Sequence, residues 1–214
     1  KALIQKLSNM NAADVAEILD ELEVTDATVI FRLLPKDKAV DVFTYFDSEQ
    51  QQDIIATSTD ADVEYILKEI FFDDKIDMLE EMPANIVDKI LEKSSPSERK
   101  LINQFLNYPE DSAGSIMTIE YCSVKKTLTV KEAMERLKKV GLQRETIYTI
   151  YVVNDNRKLE GIVSLRELVI ADDNTVIGDI MNKDVVYVNV YEDQEVVAGV
   201  IQKYDFVAVP VVDN

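Results

Sequence analysis

The chain has 214 residues, 47% of them hydrophobic, with 41 acidic against 23 basic side chains, a formal net charge of −18 and no histidine. Such a surface is poorly suited to nucleic acid, which is bound through counterion release, and without imidazole it lacks the usual ligands of borderline metals, so a bound ion would be a hard cation. The composition is that of a globular protein, and the longest apolar runs, such as Phe206 to Val212, fall far short of the ~20 residues of a membrane helix.

The charge is uneven: residues 1–110 hold 24 acids and 11 bases, and residues 111–214 hold 17 and 12. Plain solubility is the competing reason for such acidity. The first residue is Lys1 rather than methionine, which leads us to expect an excised piece of a longer protein. All five glycines, Gly114, Gly141, Gly161, Gly178 and Gly199, follow residue 113, which predicts an all-helical half and then a turn-rich α/β half.

In the first half, Asn11 with Asp14, Thr59 with Asp62, and Ser95 with Glu98 each place a capping oxygen three residues before an acid. Pro35 and Pro83 sit at helix starts, where proline is best tolerated. Segments 15–22 and 63–70 repeat apolar residues at helical spacing. The expectation is about eight short helices between residues 2 and 107, stacked as a superhelix of helical hairpins. Within them, Asp73 and Asp77 share one face of a helix start beside Asp74. The helix dipole accounts for Asp73 and Asp74, and less well for Asp77. Asp41 has Lys38 three residues back as an ion-pair partner, but Asp37, four back, repels it by a similar amount.

Residues 107–114 have the proline, glycine and polar content of a connection. After it a pattern begins and repeats. Ile116-Met117 precedes a strand near Tyr121 to Val124, a helix from Val130 to Val140, a strand from Thr146 to Val153, a turn at Asn154 to Asn156, a strand Leu159 to Val163 and a helix around Leu165 to Ile170. Ile180-Met181 precedes a strand near Val185 to Val190, a helix from Asp193 to Lys203 and a strand from Phe206 to Val212. The second unit stops at Asn214 before its last two elements, so we expect further residues beyond it. The lone Cys122 cannot form an internal disulfide, reads as a small buried strand residue and points to a reducing compartment. Tyr121, Tyr148 and Tyr151 read as packing residues. Asp193 and Glu195 open the last helix, and Asp205 lies between Tyr204 and Phe206 at the entry to an apolar strand, where a carboxylate needs a partner.

The repeat resembles a tandem pair of cystathionine β-synthase (CBS) domains. Together with the helical half, the connection Tyr108-Pro109-Glu110-Asp111-Ser112-Ala113-Gly114-Ser115-Ile116-Met117-Thr118, Glu145 to Tyr148 and Tyr204-Asp205-Phe206, the chain looks like the cytosolic region of an MgtE-type magnesium transporter. The expected fold is multidomain α and α/β: a superhelical N domain over 1–107, a linker over 108–115, a first CBS repeat over 116–173 and a second, incomplete one over 176–214. The resemblance implies a soluble regulatory fragment that pairs as a homodimer through its CBS domains. It also implies attachment to a membrane pore domain of the same polypeptide, at the cytoplasmic face of the cell membrane.

The resemblance further implies that Mg2+ bridges the two acidic surfaces and favours the closed pore. The matching ligand positions are Asp41, Asp73 and Asp77 in the helical half and Asp193, Glu195 and Asp205 in the second repeat, all of which keep a carboxylate. An adenine nucleotide such as ATP is implied near Arg166, Glu167, Phe206 and Pro210, although Glu167 replaces the usual aspartate and is one methylene longer. The residues alone also support an ordinary strand-to-helix corner there. The other functional reading is a nucleotide-sensing CBS adaptor with a helical protein-binding scaffold. No histidine, activated Cys or Ser constellation, or phosphate loop of the GxxxxGK[ST] type is present, so an enzyme is not expected.

Overall fold

The computed structural model describes residues 2–213, so the expected domain ends Lys1 and Asn214 lie outside the described residues. It divides into two compact units between Leu106 and Asn107. The first contains, among the described residues, nine helices where about eight were expected: α1 (Ala2–Ser8), α2 (Ala12–Asp20), α3 (Val24–Leu33), α4 (Lys36–Phe43), α5 (Ser48–Thr57), α6 (Asp60–Glu69), α7 (Phe72–Glu81), α8 (Ala84–Lys93) and α9 (Pro96–Phe105). Several helices end and restart across two extended residues, as at Ser58-Thr59, Ile70-Phe71, Met82-Pro83 and Ser94-Ser95, with no glycine needed.

The caps follow the sequence. Asn11, Thr59 and Ser95 accept from the backbone N–H of Ala13, Asp62 and Glu98. Pro35 and Pro83 stand at the N-cap itself, one residue earlier than a first-turn position. Helices pack on their next-but-one neighbours, α2 on α4, α3 on α5, α4 on α6 and α5 on α7, which is the signature of a superhelical stack. Phe31 packs between Phe43 and Phe46, and Phe72 meets Phe105 edge-on at 5.0 Å. Lys75 is buried, and its charge is met by Glu98 at 2.6 Å.

The second unit runs α10 (Ala113–Ile116), β1 (Cys122–Val124), α11 (Val130–Val140), β2 (Thr149–Val153), β3 (Leu159–Ser164), α12 (Leu165–Ile170), α13 (Ile177–Ile180), β4 (Val188–Asn189), α14 (Gln194–Tyr204) and β5 (Val211–Val212). Strand β2 lies between parallel β1 and antiparallel β3, while β4 and β5 form a separate parallel pair. The first repeat's core gathers Cys122, Val124, Ala133, Leu137, Ile150, Val152, Val163 and Leu168. Burial pushes the Cys122 thiol above its ordinary pKa. The strands of the second repeat are shorter than expected because Asp205 turns the chain in a left-handed conformation and Pro210 has no N–H for a ladder.

The two repeats exchange their leading helices. Gly114 of α10 donates its N–H to Val190 O in the second repeat, and Gly178 of α13 donates to Lys126 O in the first, both at 2.8 Å. Likewise Ser112 pairs with Asp193, and Thr129 with Val176. Residues read from composition as a linker are therefore part of the second unit: Ser112, Ala113, Gly114 and Ser115 are buried, and Ala113 joins the second repeat's core.

Candidate functional site

In the helical unit, Asp41 lies on the exposed side of α4. The expected ion pair with Lys38 does not form, because Lys38 Nζ instead donates to the carbonyl of Met10. Asp37 is drawn away too. It accepts a 2.7 Å hydrogen bond from Tyr65 on α6, which raises the Tyr65 pKa to about 12, since the bond favours the protonated phenol. Asp41 is thus left without an ion pair among the described residues.

Asp73 and Asp77 stand one turn apart on α7 as the spacing required. Asp73 is half-buried, and its Oδ1 has no hydrogen-bond partner. The Asp77 carboxyl is pushed above the usual carboxylate range by desolvation first, then by Asp73 and by Glu81. Its side chain remains exposed, yet its surroundings are crowded. Asp77, Asp74, Glu81 and Asp47 line a cavity of about 270 Å³ whose apolar side is Phe43, Phe46, Ile70 and Met78. The sequence reading missed Glu81 and Asp47. Glu81 was visible as a third acid at the Asp73–Asp77 interval. Asp47 was hidden by its role as the N-cap of α5, where it accepts from Gln50 N at 2.9 Å.

In the second unit, Asp193 is the N-cap of α14 and accepts from Glu195 N at 2.8 Å, while Glu195 is exposed in the first turn. Asp205 is not at the start of a strand. It terminates α14 with φ 54° and ψ 44°, its N–H bonded to Ile201 O and its side chain exposed. The left-handed turn stacks Tyr204 on Phe206 at 5.3 Å, with Lys203 over the Tyr204 ring. Among the described residues, no three acidic, thiol or imidazole side chains converge closely enough to hold one metal ion.

Arg166 and Glu167 open α12. Glu167 Oε2 accepts from Ser164 N at 2.7 Å and from Ser164 Oγ at 2.8 Å, while its own N–H donates to Ser164 Oγ, a reciprocal capping box. The strand-to-helix corner read from the sequence is therefore present, and one carboxylate oxygen is engaged in it. Phe206 is half-buried, and Pro210 is buried with its carbonyl accepting from Val188 N at 3.0 Å. Tyr121 and Tyr151 pack edge-on at 5.4 Å, and Tyr148 is exposed.

The helices α11 and α14 hold the same place in their repeats, each of 11 residues, and the first N–H of each donates to a carbonyl of the exchanged segment, Val130 N to Thr175 O and Gln194 N to Asp111 O. Where α11 has Thr129 as N-cap, Lys131 in the first turn and Gly141 after its end, α14 has Asp193, Glu195 and Asp205. The fold does not itself require acids at these three places.

Among the described residues no helix is long and apolar enough to cross a membrane. The profile described as the MgtE intracellular N domain matches residues 10–111, and that of the CBS domain matches 113–174 and 177–214. The magnesium transporter MgtE of Thermus thermophilus is 37% identical over 218 residues, covering 100% of this chain and 48% of the relative. MgtE of Bacillus subtilis is 30% identical over 213 residues, covering 94% of this chain and 47% of the relative. The chain therefore spans about half the length of the curated relatives it matches. The crystal structure of the cytosolic domain of the Mg2+ channel MgtE in complex with ATP superposes with a TM-score of 0.92 at 36% identity, covering 100% of this chain and 87% of the other. That of the soluble part of a magnesium transporter gives 0.80 at 32% identity, covering 99% and 89%.

Proposed function

The chain belongs to the MgtE family, and from that premise we propose that it is the cytosolic magnesium-sensing regulatory region of a magnesium transporter. Mg2+ is held between the acidic helical unit, through Asp41, Asp73 and Asp77, and the second CBS repeat, through Asp193, Glu195 and Asp205. Filling these positions favours the closed pore. The chain acts as a regulator without a catalytic step, at the cytoplasmic face of the membrane, tied to a pore domain and paired with a second copy through its CBS repeats.

The observation that carries this reading is the placement of charge against fold. Carboxylates occupy three end positions of α14, Asp193, Glu195 and Asp205, where the twin helix α11 has Thr129, Lys131 and Gly141, and α7 gathers acids where desolvation first, and then the neighbouring Asp73 and Glu81, raise the proton affinity of Asp77. Approach of two such surfaces is unfavourable until a divalent ion neutralises them. Magnesium takes oxygen ligands and dehydrates reluctantly, so exposed carboxylates on two faces share it through its waters. Asp77 also gives the pH sense. Its folded pKa is raised, so its stabilising contribution is complete below the unfolded carboxylate value and is lost as pH rises through the folded one. Magnesium should then stabilise more at neutral pH than in that acidic window.

ATP is a second ligand of the same region in this proposal, supported by the nucleotide complex of the 36%-identical cytosolic domain. It would lie near Arg166, Glu167, Phe206 and Pro210, with the Glu167 oxygen not used by the cap facing a ribose hydroxyl. The decisive measurement is small-angle scattering during a magnesium titration. The radius of gyration should fall as magnesium rises, and an unchanged radius up to millimolar levels would sink the reading. Parallel melting curves with magnesium and with ATP separate it from the nucleotide-sensing adaptor, for which ATP gives the larger shift.

A further inference from the structure

The pseudo-symmetry of the two repeats is broken where the chain enters the second unit. In the first repeat, among the described residues, the segment before α13 meets the N-terminus of α11 through backbone bonds, Val130 N to Thr175 O at 2.8 Å and Lys131 N to Asp173 O at 3.0 Å, beside the helix's own Thr129–Glu132 capping box. In the second, Gln194 N donates to Asp111 O at 2.7 Å, and the Gln194 side chain adds a second bond, Nε2 to Asp111 Oδ1 at 2.6 Å. Asp111 is one of three non-glycine residues at positive φ among the described residues, at 61°. That conformation is costly for an L-residue and persists where surrounding contacts over-determine it. The contacts are present: Ala113 N bonds Glu192 O at 2.7 Å, Ser112 pairs with Asp193, and the Tyr108 ring stands edge-on to Tyr191 at 6.1 Å. Gln194 lies between Asp193 and Glu195 in sequence, and residues 107–112 are the covalent path to the helical unit.

We propose that the Asp111–Gln194 pair is a latch that sets the direction in which the connector leaves the N-terminus of α14, and so couples ion occupancy at Asp193 and Glu195 to the range of positions open to the helical unit. The coupling rests on the magnesium-sensing reading; the latch itself does not. Asp111 and Gln194 are positioning residues in this scheme, since their side-chain groups are spent on each other.

The test is a distance distribution by pulsed electron resonance on the 214-residue chain, with spin labels at the exposed positions Lys68 and Lys138 and buried Cys122 replaced by alanine. Gln194→Leu removes the amide donor, and its melting curve should remain cooperative. In EDTA it should broaden the distribution. In a magnesium titration it should raise the midpoint of narrowing by roughly fivefold, the lower end of ordinary allosteric couplings. Asp111→Asn keeps both the acceptor oxygen and the tolerance for positive φ, and should behave as wild type. Width and midpoint unchanged in Gln194→Leu would overturn the latch. A wild-type distribution indifferent to magnesium would instead overturn the sensing reading and with it the coupling, and the EDTA broadening alone would then decide whether the latch exists.

Discussion

Helix α11 and helix α14 share length and place in their repeats, yet the first is closed by a capping box and a glycine and the second by aspartates at both ends. Thr129 and Glu132 form a reciprocal capping box on α11, and Gly141 continues its last turn in right-handed geometry. On α14 the cap is Asp193, without a return bond from the residue three positions on, and the terminating residue is Asp205 in a left-handed conformation that glycine would adopt without strain. A repeat supplies its own control. Whatever one copy does without is not demanded by the architecture, and the carboxylates of α14 fall in that class.

The largest effects should come from testing whether the exchange of leading helices is as tight on both sides. A methyl group at Gly114 would lie 2.8 Å from the Tyr108 ring and 2.9 Å from Val190 O, whereas at Gly178 its nearest atom is Lys126 O at 3.1 Å. Neither glycine has positive φ, so the cost is steric. Gly114→Ala should destabilise the second unit by about 2–3 kcal/mol and Gly178→Ala by about 1 kcal/mol, as overpacked sites do. Urea unfolding of each variant reads the difference, and equal losses would mean that the two helices are seated alike.

What the sequence revealed divides along the same line. Helix caps, the periodic apolar faces of the first unit and the order of elements in both repeats depend on residues within a turn of one another, and they were legible. The exchange of α10 and α13 was not, because it is made by backbone bonds between segments far apart in the chain, and the polar, glycine-containing stretch at 107–114 has the composition of a loop. At the candidate site, the Asp73–Asp77 pair was readable from its spacing. The role of Asp37 was not, since its partner Tyr65 lies on a different helix, and Asp205 was misplaced because nothing in Tyr-Asp-Phe announces a left-handed residue.

Asp205 offers a test in which the sign carries the answer. Asp205→Gly relieves the left-handed strain at the end of α14 but frees the unfolded chain, and the balance should favour the variant by about 0.5 kcal/mol in EDTA. If the carboxylate is retained for an ion, the order reverses at saturating magnesium, where wild type gains stabilisation that the variant lacks. Melting both proteins in the two buffers shows whether the curves cross. A variant less stable in both would place Asp205 among the structural residues.

The smallest changes in stability belong to the first turn, and they separate the helix dipole from ion binding. Lys131 and Glu195 stand at matching positions, two residues after their N-caps. An acid there is favoured by the unpaired N–H groups of the helix start and a base is disfavoured, each by ~0.3–1 kcal/mol at low ionic strength. Glu195→Lys should therefore lower the stability of the second repeat by about 0.5 kcal/mol, while Lys131→Glu should leave that of the first nearly unchanged, because the dipole gain is offset by repulsion from Glu135 one turn on, both effects shrinking in salt. The dipole treats the two helices alike, so the magnesium response is what tells them apart. Placing an acid on α11 should leave the compaction midpoint where it was, because the N-cap there is Thr129, the first-turn Glu132 is spent on the capping box, and Gly141 follows its C-terminus. Removing the acid from α14 should shift the midpoint to higher magnesium by far more than its loss of stability implies. If the two substitutions move the midpoint equally, net charge alone governs the response, and the particular carboxylates of α14 have no special part in it.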